Sequence, residues 1–161
     1  MAIPQPLIEA VRRQYRLEWH GIHGADHWAR VRNNGLRLAA LNGANPSVVE
    51  TFAFLHDACR CSDGNDPDHG PRAAAFAQSL NGGVLHLSAA ELQDLSDACI
   101  HHTRGQTSGF NATVLTCWDA DRLDLGRVGI RPNPDYLCTA EGRDPEVIRW
   151  AYLNSLGSGS T

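Results

Sequence analysis

Residues 48–55 are apolar at nearly every position (Val-Val-Glu-Thr-Phe-Ala-Phe-Leu) and end on His56 and Asp57. An imidazole and a carboxylate at the inner end of a buried segment are costly unless each finds a partner. Side by side, they offer a cation two ligands from one turn of backbone. The fold must therefore bring complementary groups from other elements to the same point.

Helical periodicity dominates the chain and predicts an all-α fold of about six to seven helices. A first helix is expected over 4–15 and a second over 25–41, the latter stopped by Asn42-Gly43. Ser47 follows Pro46 and has Glu50 three residues on, the spacing of a capping box, so a third helix is expected from there to about residue 59. Residues 61–70 form a polar loop rich in Asp and Gly. A fourth helix is expected over 71–80, with Pro71 in its first turn. Ser88 and Glu91 repeat the capping-box spacing at the head of a fifth helix running to about residue 102. After a loop over 104–111, a sixth helix is expected over 112–125. Pro132, Pro134 and Gly142 mark irregular chain, and a short helix is expected over 145–153. No repeat or linker divides the sequence, so residues 1–155 are expected to form one domain and 156–161 a flexible tail.

The 161 residues suffice for one real core, and a net charge of -4 argues against a nucleic-acid polymer or a membrane surface as partner. No apolar run approaches the ~18 residues of a membrane span. Every basic residue is Arg, which excludes Schiff-base and lysine-nucleophile chemistry. Five cysteines, an odd number with no Cys-x-x-Cys spacing and no signal-peptide pattern, point to reduced thiols in a cytoplasm. A small molecule is the expected partner, and the chain is expected to be a monomer or homodimer.

Helical spacing sorts the polar residues. His56 shares a face with Phe52, Val49 and Ala53, while Asp57 lies at its boundary. His27 shares a stripe with Val31 and Leu38, and His23 stands one turn earlier. A lone histidine on such a face is ordinarily a hydrogen-bonded core residue. Leu92, Leu95, Cys99 and His102 form another stripe, whereas His101 falls with Asp94 and Asp97 on a solvated face. Asp121 has Val114, Cys117, Trp118 and Leu125 around it, against a mixed neighbourhood for Asp119, so Asp121 is the expected buried carboxylate. Inward-pointing His27, His56, Asp57, His102 and Asp121 on four helices are explained together by one shared metal. Mixed imidazole and carboxylate ligation suits Mn, Fe, Co, Ni or Zn.

These residues resemble the pattern of the HD superfamily of metal-dependent phosphohydrolases. The ordered set is His27-Trp28-Ala29-Arg30-Val31, then Phe54-Leu55-His56-Asp57, then Ala120-Asp121-Arg122-Leu123-Asp124, and it spans roughly residues 20–130. The layout resembles that of small, stand-alone bacterial HD proteins. The resemblance implies an HD-type helical bundle with metal ligands His27, His56, Asp57 and Asp121. Binuclear relatives add two histidines between the His-Asp pair and the last Asp, places that His69 and His102 fill here, so one or two divalent ions are expected.

The expected activity is hydrolysis of a small, nucleotide-like phosphoester by metal-activated water, with Asp57, His69, Arg60 and Arg122 in the catalytic machinery. Arg60 and Arg122 adjoin the ligands and can neutralise phosphate charge; a structural salt bridge is the competing role for each. Arg30 has the same two roles open to it, and His23 can reach the cleft as a substrate contact. His69 is a second-metal ligand, a proton donor to the leaving group or an exposed loop residue. Trp28 and Trp118 are expected in the walls of the site. Residues 105–109 can form a lid, and residues 128–139 are expected to cover one side of the bundle without an assigned role. Two alternatives compete. One is a diiron oxygenase cleaving a C–P or C–C bond, which the resemblance disfavours because the additional histidine of such enzymes is Arg60 here. The other is a catalytically idle nucleotide sensor.

Overall fold

The structure is a computed structural model describing residues 3–157. Most of the expected tail, residues 158–161, lies outside the described residues. Among the described residues, seven α-helices account for the architecture: α1 (Gln5–Gln14), α2 (Ala25–Asn42), α3 (Pro46–Leu55), α4 (His69–Leu80), α5 (Ala89–His101), α6 (Ala112–Arg122) and α7 (Pro145–Leu156). Among the described residues there is no strand, only an isolated bridge between Asn81 and Leu85. The all-α expectation holds, and among the described residues no helix is long and apolar enough to cross a membrane.

Several boundaries differ from the expected ones: α6 stops at Arg122 rather than near residue 125, α7 runs on to Leu156 rather than 153, and α3 and α4 differ as follows. Asn45, not Ser47, caps α3: its side chain accepts from the Ser47 and Val48 amides, and Pro46 takes the first turn where its missing N–H costs nothing. Glu50 is then free of capping duty; it is buried and accepts from Arg32 Nε at 2.6 Å. Helix α3 stops at Leu55 rather than near Cys59, and successive turns closed by Ala58 N to Leu55 O and Arg60 N to Asp57 O carry Asp57 around. Helix α4 begins at His69, two residues before Pro71. The capping box of Ser88 and Glu91 on α5 is present with both of its hydrogen bonds.

Helix α3 is central, packing against α2, α5 and α6, while α4 lies against α5. Trp28, Val31, Val48, Val49, Phe52, Leu55, Leu95, Cys99, Cys117 and Trp118 are buried in one continuous core. Helices α2 and α3 approach closely at Gly35, where a Cβ would lie 2.3 Å from Val49 Cγ1. A smaller cluster of Leu38, Leu123, Leu137, Val147, Ile148 and Ala151 fastens α7 to the bundle. Residues 128–139 are irregular, with 3-10 turns at Leu125–Val128 and Pro134–Tyr136. They are held at one end by Asp119, which accepts from the Cys138 and Thr139 amides and the Thr139 hydroxyl at 2.7–2.8 Å.

Candidate metal centre

Five elements deliver side chains to one buried point. His27 comes from the first turn of α2, His56 from the residue that ends α3, and Asp57 from the turn after it. His69 opens α4, His102 closes α5, and Asp121 lies in the last turn of α6. His27, His56, Asp57, His69 and His102 are all buried.

The hydrogen bonds fix the tautomers. His56 Nδ1 donates to the Phe52 and Ala53 carbonyls, His69 Nδ1 to the Asp66 carbonyl at 2.5 Å, and His102 Nδ1 to the Cys99 carbonyl at 2.7 Å. A carbonyl only accepts, so each of these Nδ1 atoms carries its proton. His27 Nδ1 lies 2.6 Å from Asp124 Oδ2, and Asp124 Oδ1 accepts from Arg30 Nε at 2.7 Å, a contact that sets the same tautomer. With Nδ1 occupied, each of the four rings directs Nε2, and its lone pair when that atom carries no proton, inward.

Those lone pairs meet. His27 Nε2 is 3.2 Å from His56 Nε2, and His69 Nε2 is 2.9 Å from His102 Nε2. Asp57 joins both pairs, with Oδ2 3.5 Å from His27 and from His56 and Oδ1 3.1 Å from His69 and 3.7 Å from His102. Asp121 Oδ1 stands 3.2 Å from His27 Nε2 and 3.5 Å from His56 Nε2. Facing lone pairs at such distances repel unless a proton or a cation lies between them. Ligands at about 2.1 Å from one ion, at tetrahedral or octahedral angles, would be roughly 3.0–3.4 Å apart, close to these spacings. Two groups could thus hold a metal, His27/His56/Asp57 and Asp57/His69/His102, sharing Asp57. The donor set fits a divalent transition ion.

Electrostatics agree with the crowding. Burial favours neutral His56, but Asp57 and Asp121 outweigh it and hold its pKa up. Burial likewise opposes ionisation of Asp57 and Asp121, yet the surrounding imidazoles hold both carboxyls well below the usual carboxylate range. Arg60 Nε donates to Asp57 Oδ1 at 3.0 Å and its Nη1 to the Ser62 and Gly64 carbonyls, so the guanidinium is committed to fixing that carboxylate.

The other expected site residues are placed as follows. Arg30 bonds Asp124, which in turn bonds His27. Arg122 turns to the loops, donating from Nη1 to the Gln106 and Tyr136 carbonyls while lying over the Trp118 ring. His23 is buried outside both groups; its Nδ1 faces Asp63 at 2.8 Å, and burial lowers its pKa against the pull of Asp63. Trp28 and Trp118 are fully buried, Trp28 against Tyr15 and Trp19 and Trp118 against Phe110. His101 is not on an open face, because Phe110 packs on it at 5.2 Å. The expectation that Asp121 is the buried member of its pair needs correction. Asp119 is fully buried beneath residues 138–139, and the Asp121 side chain is 18% exposed although it is the one facing the imidazoles. Asp124, buried against His27, was not singled out from the sequence as a site residue; its place three residues after Asp121, just past the end of α6, is the signal that could have found it.

No family model matches the sequence, and no curated protein matches it. Among solved structures, the fold is similar to that of a protein described as a predicted HD superfamily hydrolase, from an uncultured Thermotogales bacterium. The two share 20% identity and a TM-score of 0.71, over 96% of this chain and 87% of that one. At that identity the likeness shows the fold, and the fold is an HD-type all-α bundle.

Proposed function

We propose that this chain is a metal-dependent phosphohydrolase acting on a small, nucleotide-like phosphoester, with two divalent transition-metal ions sharing Asp57. The observation that carries it is the convergence of four Nε2 lone pairs on the two oxygens of one buried carboxylate. Structural histidines satisfied by the backbone would not need to face one another.

His27, His56, Asp57 and Asp121 would hold the first ion, and Asp57, His69 and His102 the second. Ions held there would polarise a phosphoryl oxygen and lower the pKa of a bound water. The chain's own residues keep that arrangement in register. Asp124 and the backbone carbonyls orient the rings, and Arg60 fixes the plane of the shared carboxylate. The place of His69 beside His102 and Asp57 favours a ligand over a proton donor. His23 remains the candidate for a substrate contact. Arg122 acts on the loops that frame the site rather than on the phosphate.

Protein purified without chelator, then assayed on a panel of phosphomonoesters and phosphodiesters with and without Asp57→Ala, tests this. Metal-dependent turnover lost in the variant is expected. Oxygen consumption by an iron-loaded form, with no hydrolysis, would point to the oxygenase instead.

A further inference from the structure

Cys59 and Cys61 flank Arg60, whose Nε donates to Asp57 Oδ1 at 3.0 Å. Both thiols turn to the same stretch of chain at the end of α1. Cys59 Sγ lies 3.6 Å from Gln14 Oε1, and Cys61 Sγ lies 3.9 Å from Arg16 Nη1. The two thiols, Gln14, Arg16, Arg60 and Arg72 line one cavity of about 180 Å³. Cys61 is exposed and Cys59 half-buried, whereas Cys99 and Cys117 are buried. A small reagent entering from solvent therefore meets Cys61 first and finds a second thiol two residues away. Cα atoms two residues apart span at most about 7 Å, and a disulfide needs about 4.4–6.8 Å, so a bend of the chain at Arg60 closes the pair. That bend falls among the bonds that shape the chain between Asp57 and His69. Arg60 N donates to the Asp57 carbonyl at 3.2 Å, and Cys61 N to Asp66 Oδ2 at 2.7 Å. The Cys59 carbonyl accepts from Arg72 Nε, and Arg72 Nη2 clasps both oxygens of Asp66, whose own carbonyl orients His69.

We infer that Cys61 and Cys59 form a dithiol oxidised by hydrogen peroxide, and that closing their disulfide re-aims Arg60 away from Asp57. Cys61 is the attacking thiol and Cys59 the resolving one. The Cys61 sulfur, paired as thiolate with the Arg16 guanidinium, attacks the peroxide O–O bond. One oxygen stays on sulfur as a sulfenic acid, and the other leaves and takes up a proton as water. Sulfur is oxidised and the peroxide is reduced by the same electron pair. The Cys59 sulfur then attacks the Cys61 sulfur; the S–S bond forms, the S–O bond breaks, and the hydroxide leaves with the Cys59 proton as a second water. The net change is two thiols and one peroxide to one disulfide and two waters. Arg60, caught between the joined residues, cannot keep both its amide on the Asp57 carbonyl and its Nε on the Asp57 carboxylate. Oxidation at the surface is thereby felt at the carboxylate shared by both imidazole pairs.

The experiment uses the full chain with EDTA present throughout, so the result is read apart from bound metal and from any hydrolase activity. The protein is treated with hydrogen peroxide, remaining thiols are alkylated, and the chain is cut with trypsin. Cleavage after Arg37, Arg60 and Arg72 leaves Cys59 in peptide 38–60 and Cys61 in peptide 61–72. The two peptides should be joined by a disulfide after peroxide and separate without it. Cys61→Ser, a change at an exposed position, should abolish the link, and Cys59→Ser should leave Cys61 to climb to the sulfinic acid. In the oxidised parent protein the Arg60 and Cys61 amides should exchange with solvent about tenfold faster by NMR, because their acceptors are lost. Unlinked peptides in the treated parent protein, or Cys59 joined to Cys99 instead, overturn the inference. Equal amide exchange in the reduced and disulfide forms also overturns it, since closure would then leave the turn at Arg60 in place.

Discussion

His27 Nδ1 and Asp124 Oδ2 lie 2.6 Å apart in the buried interior, 97 residues apart in sequence. That bond presents the ring's Nε2 to His56, Asp57 and Asp121, and Arg30 holds the carboxylate from its other oxygen. Outer carboxylates of this kind tune metal affinity by about 10–100-fold. Asp124→Asn should retain the fold and weaken metal binding by about that factor, measured by competition with a chromogenic chelator.

Gly70 governs the second group. A Cβ there would lie 2.3 Å from the Cys99 carbonyl oxygen, the same oxygen that accepts from His102 Nδ1. Gly70→Ala must push α4 away from α5 and separate His69 from His102, now 2.9 Å apart. The expected result is loss of one bound ion of two, with the His27/His56 ion kept. Elemental analysis of the purified variant reads this directly. Overpacking of this sort costs about 1–3 kcal/mol, so melting should also come earlier.

Metal should stabilise the fold. Free ion at about 100 times its Kd adds about 2.7 kcal/mol, or roughly 5–11 °C in Tm for a chain of this size. Thermal denaturation before and after EDTA dialysis checks it.

Protonation should act in opposite directions on the apo and loaded forms. His56 has its pKa raised above 6.5, so in the apo protein its contribution is fully present below 6.5 and lost as pH rises through the folded value. Asp57 and Asp121, held below 3.8, contribute above that value and lose the contribution as pH falls through their folded values. Apo stability should therefore decline above about pH 6.5, while stabilisation by metal should grow, because a proton on Nε2 competes with the ion. Denaturant melts of both forms across pH 5–9 would reveal the crossing trends.

Thiol reactivity should be confined. Cys61 is exposed, Cys99 and Cys117 are buried, and burial pushes the Cys59 and Cys138 thiols up to about 11 and about 12. A disulfide reagent at pH 8 should label Cys61 first and leave Cys99 and Cys117 untouched until unfolding, as peptide mass mapping would show.

The parts of this architecture legible in the sequence are those with a period. The stripe Leu92, Leu95, Cys99, His102 placed His102 inward because helical spacing alone fixes a face, and His56 followed from Phe52 and Val49 in the same way. Where a second element decides, the pattern falls short. Asp119 looked less enclosed than Asp121 because its cover, residues 138–139, is irregular chain that no periodicity locates. Asn45 displaced Ser47 as the α3 cap because Pro46 suits the first helical position, a preference that outweighs the Ser-x-x-Glu spacing. Asp124 stood in the motif that carries Asp121 but received no role, since its partner His27 lies on another helix.

Metal content of the protein purified without chelator tests the central claim most directly. Close to two transition-metal ions per chain are expected, with both greatly reduced in Asp57→Ala because that carboxylate reaches both imidazole pairs. Substoichiometric metal that reloading does not restore, or two ions retained by the Asp57→Ala chain, would contradict the shared-carboxylate centre.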